Sequence, residues 1–506
     1  MYLSGLGNIS DDTLALLKTN MASQIAGGLD VRKAITQATG LVWFDLQAPA
    51  KVLYPVITPI RNRIPRVKGN GGTATNWRQI NSISGSGMPY MGWVPEGQRT
   101  AQMTQNVTTV AASYVTLGEE NGISFEAINA SENFEDEFAL MQVRLLQQMF
   151  IKEEIALLFG NASLQLGTVG TITASASGSG ATLPAATYYI KCVALTAEAM
   201  QAAAVTSVGC VPTYAITGSD GKTYTLNGGT SQISAEASQA VTLGQTLFAS
   251  VATINGAAGY AWYISTATGT ETVQAITTIN SVAINAPLTA GTQSQTGLFA
   301  ADYSANPNYA FNGLLTSAYS SGTAIITIQP TGTAGTGTPL TASGRGSVVE
   351  IDTLLQNMWN SFRLSPTLML VNSQELKNIT NKVLSNATGP LLRYELSANG
   401  QNYSLGAGGT IEYYYNPFAA GPGIKIPIFL HPNVPAGTIL LYTENLPAQY
   451  VSNNVPNVAE VKTRQDYYNI VWPLVTRQRQ VGVYAEEVLA VYAPFAMGAI
   501  RNIGNG

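Results

Sequence analysis

One histidine, two cysteines, three adjacent carboxylate pairs and a Gly-Lys-Thr triplet are the features of this chain that could support catalysis or ligand binding. His431 stands in Leu430-His431-Pro432-Asn433, a proline-flanked loop after a strand-like run. A metal site or a catalytic triad needs further His or Cys partners, so this lone histidine reads as a surface or packing residue. Cys192 and Cys210 are too few for a disulfide framework and read as small buried apolar residues in a reducing compartment. Glu119-Glu120, Glu153-Glu154 and Glu486-Glu487 could each pair an acid with a base. Adjacent positions do not share a helix face, so solvated carboxylates are expected. Gly221-Lys222-Thr223 ends like a phosphate-binding loop, but Ile216 stands where that loop needs its first glycine. It reads as a turn, and the Gly-rich stretches at 68–72 and 406–409 read as loops, because no helix follows to aim amides at a phosphate. No catalytic, cofactor-binding or metal-ligating residue emerges. The chain reads as a non-enzyme.

Composition narrows the classes further. The chain has 506 residues, enough for about three domains. Only 11% are charged, against roughly 25% in an average soluble protein. Hydrophobic residues make up 45%. A charged disordered chain and a coiled coil are both excluded by these figures. So little charge suits a protein whose surface is largely covered in an assembly. A net charge of −4 gives no global basic footprint for reading nucleic acid. No run of about 18 apolar residues is present to span a bilayer, and the N-terminus lacks the pattern of a secretory signal.

The elements follow from periodicity and punctuation. Residues 1–40 read as short helices broken by glycines. Thr73–Ser84 and Met103–Leu117 alternate polar and apolar residues around a Gly/Pro-rich tip, an extended hairpin with too few large apolar residues to form its own core. Phe138, Met141, Leu145 and Met149 recur at helical spacing within 134–159, a helix roughly 40 Å long with acids crowding its start. From 163 to 300 only six charged residues occur. Strand-like runs at 187–195, 259–266 and 272–279, with no helix signal, read as a β-sandwich set between flexible joints at 175–181 and 289–297. Ser347 with Glu350, and Asn372 with Glu375, read as helix starts. Residues 388–460 are Gly/Pro-rich with short strands, and 466–506 close the chain with strand-like alternation.

Charge is distributed unevenly. Residues 31–78 carry eight basic residues against Asp45, and residues 115–160 carry nine acids against Arg144 and Lys152. The two segments could pair within one subunit. Alternatively the basic run Arg61, Arg63, Arg66 and Lys68 of one copy meets the acidic helix start Glu132, Glu135, Asp136 and Glu137 of the next, with Trp77, Ile80, Tyr90, Met91 and Trp93 of the hairpin packing on that neighbour.

An extended hairpin ending in Gly92-Trp93-Val94-Pro95-Glu96-Gly97, then Gly122-Ile123-Ser124-Phe125-Glu126 and a long helix, resembles the major capsid proteins of tailed bacteriophages. The stretch from Gly423 to Tyr442 and the helix after 367–371 are similar to that family's axial domain. The resemblance implies an α+β fold of the Hong Kong 97 type. Its parts would be an N-terminal arm (1–60), an extended loop (61–115), a peripheral domain with spine helix (116–162), a return to the periphery (301–346), an axial domain (347–460) and closing strands (461–506). Residues 163–300 depart from the family pattern and look like an inserted immunoglobulin-like or fibronectin-type sandwich. The implied function is an icosahedral shell around double-stranded DNA, built of hexamers and pentamers in the host cytoplasm. Implied partners are a separate scaffolding protein, a portal, a decoration protein and DNA held without sequence specificity. There would be no membrane and no cofactor. Lys68 is the only lysine placed for the family's covalent cross-link, and nothing identifies a partner asparagine. The alternative is an extracellular β-rich surface or adhesin protein, which the Thr/Ser/Gly-rich 163–300 segment favours but the long helix does not serve.

Overall fold

The chain is traced here in a computed structural model that describes residues 56–84, 92–100, 102–131, 136–289, 291, 293–343, 346–385, 393–396, 403–406, 411–419, 424–447 and 456–505. Residues 1–55, Tyr90, Met91, Glu132 and Glu135 lie outside this set, as does the side chain of Ile80. Val56–Ala130 and Glu137–Gly506 belong to one unit, mixed α and β.

A turn at 59–63 buries Ile60 and Ile64 and leads into strand β1 (Arg66–Lys68). The predicted hairpin is β2 (Ala74–Ser84) and β3 (Thr104–Ser113), paired only with each other. Its return strand is shorter than the alternation suggests. After Tyr114 the chain becomes β4 (Val115–Ser124), which leaves the hairpin. Helix α1 (Phe125–Ala130) follows, then the long α2 (Glu137–Phe159), whose Met141, Leu145 and Met149 are buried as their spacing requires.

Residues 163–300 hold two larger antiparallel sheets and a separate two-stranded one. Their strands are β5 (Thr173–Ser177), β6 (Ala186–Leu195), the β7–β8 hairpin (Thr213–Thr217, Thr223–Asn227), β9 (Ala237–Val241), β10 (Thr246–Ser250), β11 (Gly259–Ser265), β12 (Thr272–Thr277) and β13 (Ser281–Ile284). One larger sheet runs β13-β10-β5, the other runs β12-β11-β6-β9, and β7–β8 is the two-stranded one. Tyr188, Ile190, Cys192 and Trp262 face a core between them, while Val193, Leu195, Ala261 and Tyr263 pack into a second core with Phe299. Both faces of β6 and β11 are thus covered, which is why those runs are almost continuously apolar. A short helix α3 (Ala197–Ala202), capped by Thr196, interrupts the strands where none was expected. Parts of the expected joints are built into the fold. Residues 175–177 belong to β5, and Gln295 is buried against Glu271.

Helix α4 (Leu314–Ser320) and β14 (Ile325–Ile328) lead to the β15–β16 pair (Ala342–Ser343, Ser347–Val348) and α5 (Val349–Phe362). The expected Ser347–Glu350 capping box does not form. Ser347 donates to Asp352 at 2.7 Å, and Glu350 accepts from the Thr341 amide, because Ser347 is held in the β15–β16 ladder. Next come β17 (Leu368–Val371), α6 (Ser373–Ser385), the β18–β19 pair (Arg393–Leu396, Tyr403–Gly406), β20 (Tyr413–Tyr415), β21 (Lys425–Leu430) and β22 (Ile439–Tyr442). Long strands β23 (Ala459–Val471) and β24 (Gln478–Val491) precede β25 (Met497–Arg501). Two sheets organise the body, β1-β23-β24-β4 and β14-β25-β22-β17-β21-β20. The C-terminal end of α2 lies in a core that also holds Ile60, Ile64, Leu440 and Leu489, so elements from the whole described chain meet there.

Candidate functional site

Arg61 and Arg66 of the basic run and the second half of α2 form one largely buried ionic node. Arg61 Nε donates to Glu153 Oε2 at 2.6 Å, and its guanidinium lies 4.0 Å from the Phe150 ring centroid. Arg66 pairs with Glu153, with Glu487 at 2.9 Å and with Asp466 at 2.8 Å. Tyr467 donates its hydroxyl to Glu153. Arg63 pairs with Glu444 at 2.8 Å and lies over Phe429. Of the two readings of the charge pattern, pairing within one subunit is the one these contacts match: Arg61 and Arg66 meet the far end of α2 and β24, and Arg63 meets Glu444. Parallel pairing of β1 with β23 brings Arg66 level with Val461 and carries its side chain to those acids. Asp136 is exposed and Glu137 half-buried at the helix start, and Lys68 is exposed at the end of β1.

Glu153 and Glu154 are likewise not solvated, being 1% and 0% exposed. Adjacent helix positions do point apart, but both sides of α2 are covered at this level. Glu154 accepts from the Ile60 amide at 2.9 Å, the Arg61 amide at 2.7 Å and His431 Nε2 at 2.7 Å. His431 is fully buried, which corrects its reading as a surface residue and leaves the packing one. Its Nδ1 accepts from the Asn433 amide at 3.1 Å, so the network assigns the proton to Nε2 and the imidazole to a neutral donor. One carboxylate thereby ties the incoming segment, α2 and the loop after β21 together. The signal available in sequence was two acids inside an otherwise apolar helical stripe.

Glu487 is fully buried. Desolvation, then the nearby Glu153 charge, push its carboxyl up to about 7 despite Arg66. Desolvation also raises Glu153. A carboxyl raised in the folded state binds protons more tightly there than in the unfolded chain. Its stabilising contribution is complete below about pH 4.5 and is lost as pH rises to about 7. Wild-type stability minus that of Glu487→Gln should therefore fall across this window. Chemical denaturation at half-unit pH steps checks it, and parallel curves for the two chains would refute it.

The outer surface carries a different kind of site. Trp93 is 92% exposed, with Val94, Met103 and Val107 exposed nearby in sequence. Asn106, Val107, Thr108 and Thr109 alternate between the two faces of β3, yet all four are exposed. Trp77, at the hairpin base, packs edge-on against Tyr492 of its own chain, with ring centroids 5.4 Å apart. A second apolar tip, Val471-Trp472-Pro473-Leu474-Val475, joins β23 to β24, and its Val475 is 88% exposed. Sequence reading missed it, although five apolar residues at a hairpin tip are themselves the signal.

Gly221-Lys222-Thr223 lies in the β7–β8 turn and the start of β8, where Ser219 donates to Glu120 at 2.6 Å. Both cysteines are buried as free thiols. Among the described residues no group of three or more His, Cys, Asp or Glu could hold a metal, and no helix is long and apolar enough to cross a membrane.

No protein-family model matches the chain, and no curated protein matches it. Similar solved structures include the capsid of a native GTA particle, with 10% identity, 93% of this chain and 99% of that one covered, and a TM-score of 0.40. The capsid of Myoviridae phage XM1 gives 9% identity, 92% and 98% coverage, and a TM-score of 0.40. The SrpI encapsulin complex of Synechococcus elongatus PCC 7942 gives 10% identity, 94% and 96% coverage, and a TM-score of 0.36. Each of these matches covers more than nine-tenths of both chains.

Proposed function

We propose that this chain is the major capsid subunit of a tailed bacteriophage, assembling with copies of itself into an icosahedral shell around double-stranded DNA. The observation that carries the reading is the β2–β3 ribbon. A two-stranded ribbon with both faces of β3 in water is marginal by itself, and its exposed Trp93 needs a covering surface that a second copy can supply. The reading takes the fold as the Hong Kong 97 type, with β2–β3 as extended loop, α2 as spine and the sheet with α5 and α6 as axial domain. Residues 163–300 are read as an inserted immunoglobulin-like module, supported by their two sheets and shared core. Hexamers and pentamers, a scaffolding protein, a portal and a decoration protein would be its partners, the virion its location, and DNA would be held without base readout.

Electron microscopy of the purified protein tests the reading. Closed shells support it, and shells that protect DNA from nuclease support the phage form over a shell with other cargo. Dispersed particles under all assembly conditions, or sheets and filaments, would overturn it. A sharper test replaces the two exposed tips. Trp93→Ser with Val475→Ser should leave subunit melting unchanged, since both side chains face water in the subunit, while closed particles fall by about tenfold or more. Sedimentation velocity would read both species, and undiminished shell formation would remove these tips from the interface.

A further inference from the structure

Seven Asn-Gly pairs occur in the sequence, and each has the groups to react with itself. The glycine amide nitrogen attacks the Asn side-chain carbon, ammonia leaves, and water opens the cyclic imide to aspartate or isoaspartate. Glycine favours the attack because no Cβ hinders the approach or restricts the backbone. The carboxamide must also turn toward the next nitrogen. Hydrogen bonds to the Asn side chain oppose that turn.

Four of the pairs are held in this way. Asn121 lies in β4, paired along its length with β24, and its Oδ1 accepts from the Gly122 amide at 2.8 Å. Asn227 donates Nδ2 to the Ala305 carbonyl at 2.7 Å, and the Gly228 amide is engaged by the Pro212 carbonyl. Asn255 donates to the Tyr319 carbonyl at 2.8 Å. Asn312 accepts from the Ala162 and Ser163 amides and donates to Ser163 Oγ. Asn399 and Gly506 lie outside the described residues.

Asn70-Gly71 is held by nothing of the kind. It stands exposed in the loop from β1 to β2, and the Asn70 side chain has no hydrogen-bond partner among the described residues. Gly71 and Gly72 have φ of 85° and 86°, in the region that glycine alone enters freely. No atom lies within 4 Å of where a side chain on either would begin, so the loop has open space around it. Two ties bound it. The Gly69 amide donates to the Thr463 carbonyl at 2.8 Å, and the Tyr114 amide to the Thr73 carbonyl at 3.0 Å. Asn70 and Gly71 can rearrange between these ties without breaking either.

We infer that Asn70 is a self-modification site, converting through an imide with Gly71 to aspartate and isoaspartate. The Gly71 nitrogen bonds to the Asn70 side-chain carbon, and the carbon–Nδ2 bond breaks. Ammonia departs with Nδ2 and the glycine amide proton, and solvent water supplies the new oxygen. Isoaspartate carries the main chain through its side-chain carbon, so the link from β1 to the ribbon gains one carbon. Either product places a carboxylate two residues from Lys68, in the loop whose Gly72 carbonyl accepts from Arg464 Nη1 at 3.3 Å.

Ageing the full chain in mildly alkaline heavy-oxygen water, followed by peptide mass spectrometry, tests the site. The Asn70 peptide should change from amide to acid with one heavy oxygen, about tenfold or more faster than the peptides of Asn121, Asn227, Asn255 and Asn312. In chain unfolded by urea the gap should close, because no side chain is then held. Electron-transfer fragmentation should find isoaspartate at position 70. An unchanged Asn70 peptide, or one no faster than the four held pairs, would overturn the inference. So would aspartate without isoaspartate, which means direct hydrolysis, or a gap that persists in urea, which means that neighbouring residues and not the fold set the rate.

Discussion

Arg66→Met is expected to destabilise the folded chain by about 3–5 kcal/mol, because it leaves buried carboxylates without their shared cation. Glu153 would keep Arg61, but Glu487, fully buried, has Arg66 as its cationic partner. Its other carboxylate oxygen is already buried without a partner. The loss is thus not one surface ion pair, which would contribute about 0–1 kcal/mol, but a desolvated node in which Glu487, its carboxyl already raised to about 7, must take up a proton or lie buried as an uncompensated charge. Glu487→Gln in the same chain should return a large part of the loss at pH above that value, where the proton is costly to hold. Urea denaturation of the wild type, the single variant and the double variant reads this directly. An Arg66→Met chain within about 1 kcal/mol of wild type would show that the node is hydrated.

Glu154→Ala should cost a comparable amount through a different mechanism. Three buried donors, the Ile60 and Arg61 amides and His431 Nε2, lose their acceptor together. Each orphaned donor costs about 1–3 kcal/mol. Two of the three belong to the segment leading into β1, so local release of residues 56–64 should precede global unfolding. Trypsin offers a direct reading, since Arg61 and Arg63 lie in that segment. Cleavage there should accelerate by about tenfold or more in Glu154→Ala. Glu154→Gln, which retains one acceptor oxygen, should fall between. His431→Ala should release the segment less, because both backbone amides keep their carboxylate. Equal cleavage rates in all four chains would rule out Glu154 as the tie.

Arg66→Met and Glu154→Ala both act at contacts that could not be seen in the linear chain. The positions of elements were largely readable there. The stripe Met141, Leu145 and Met149 announces α2, because a helix repeats its buried face every three or four residues. The runs 187–195 and 259–266 announce β6 and β11, because strands covered on both faces are almost wholly apolar. The Gly/Pro-rich tip between β2 and β3 announces a ribbon. Local steric preference and burial decide these features, and both act over a few residues.

Partner choice is decided elsewhere. Arg66 and Glu487 are 421 positions apart, and Glu154 and His431 are 277 apart. Net charge along the chain suggested that the basic run meets acids of residues 115–160, but it could not say which of the nine. Which acid an arginine meets depends on sheet register, here β1 set beside β23 and β23 beside β24. Composition likewise indicated a two-sheet segment at 163–300 but described its ends as joints, since Gly, Ser and Thr look alike in a turn and in a strand lying over a packed core. Local pattern placed most helices and strands, though not α3 or the end of β3. Tertiary structure alone decided which charges are buried together, because a carboxylate's environment is set by whichever distant elements close around it.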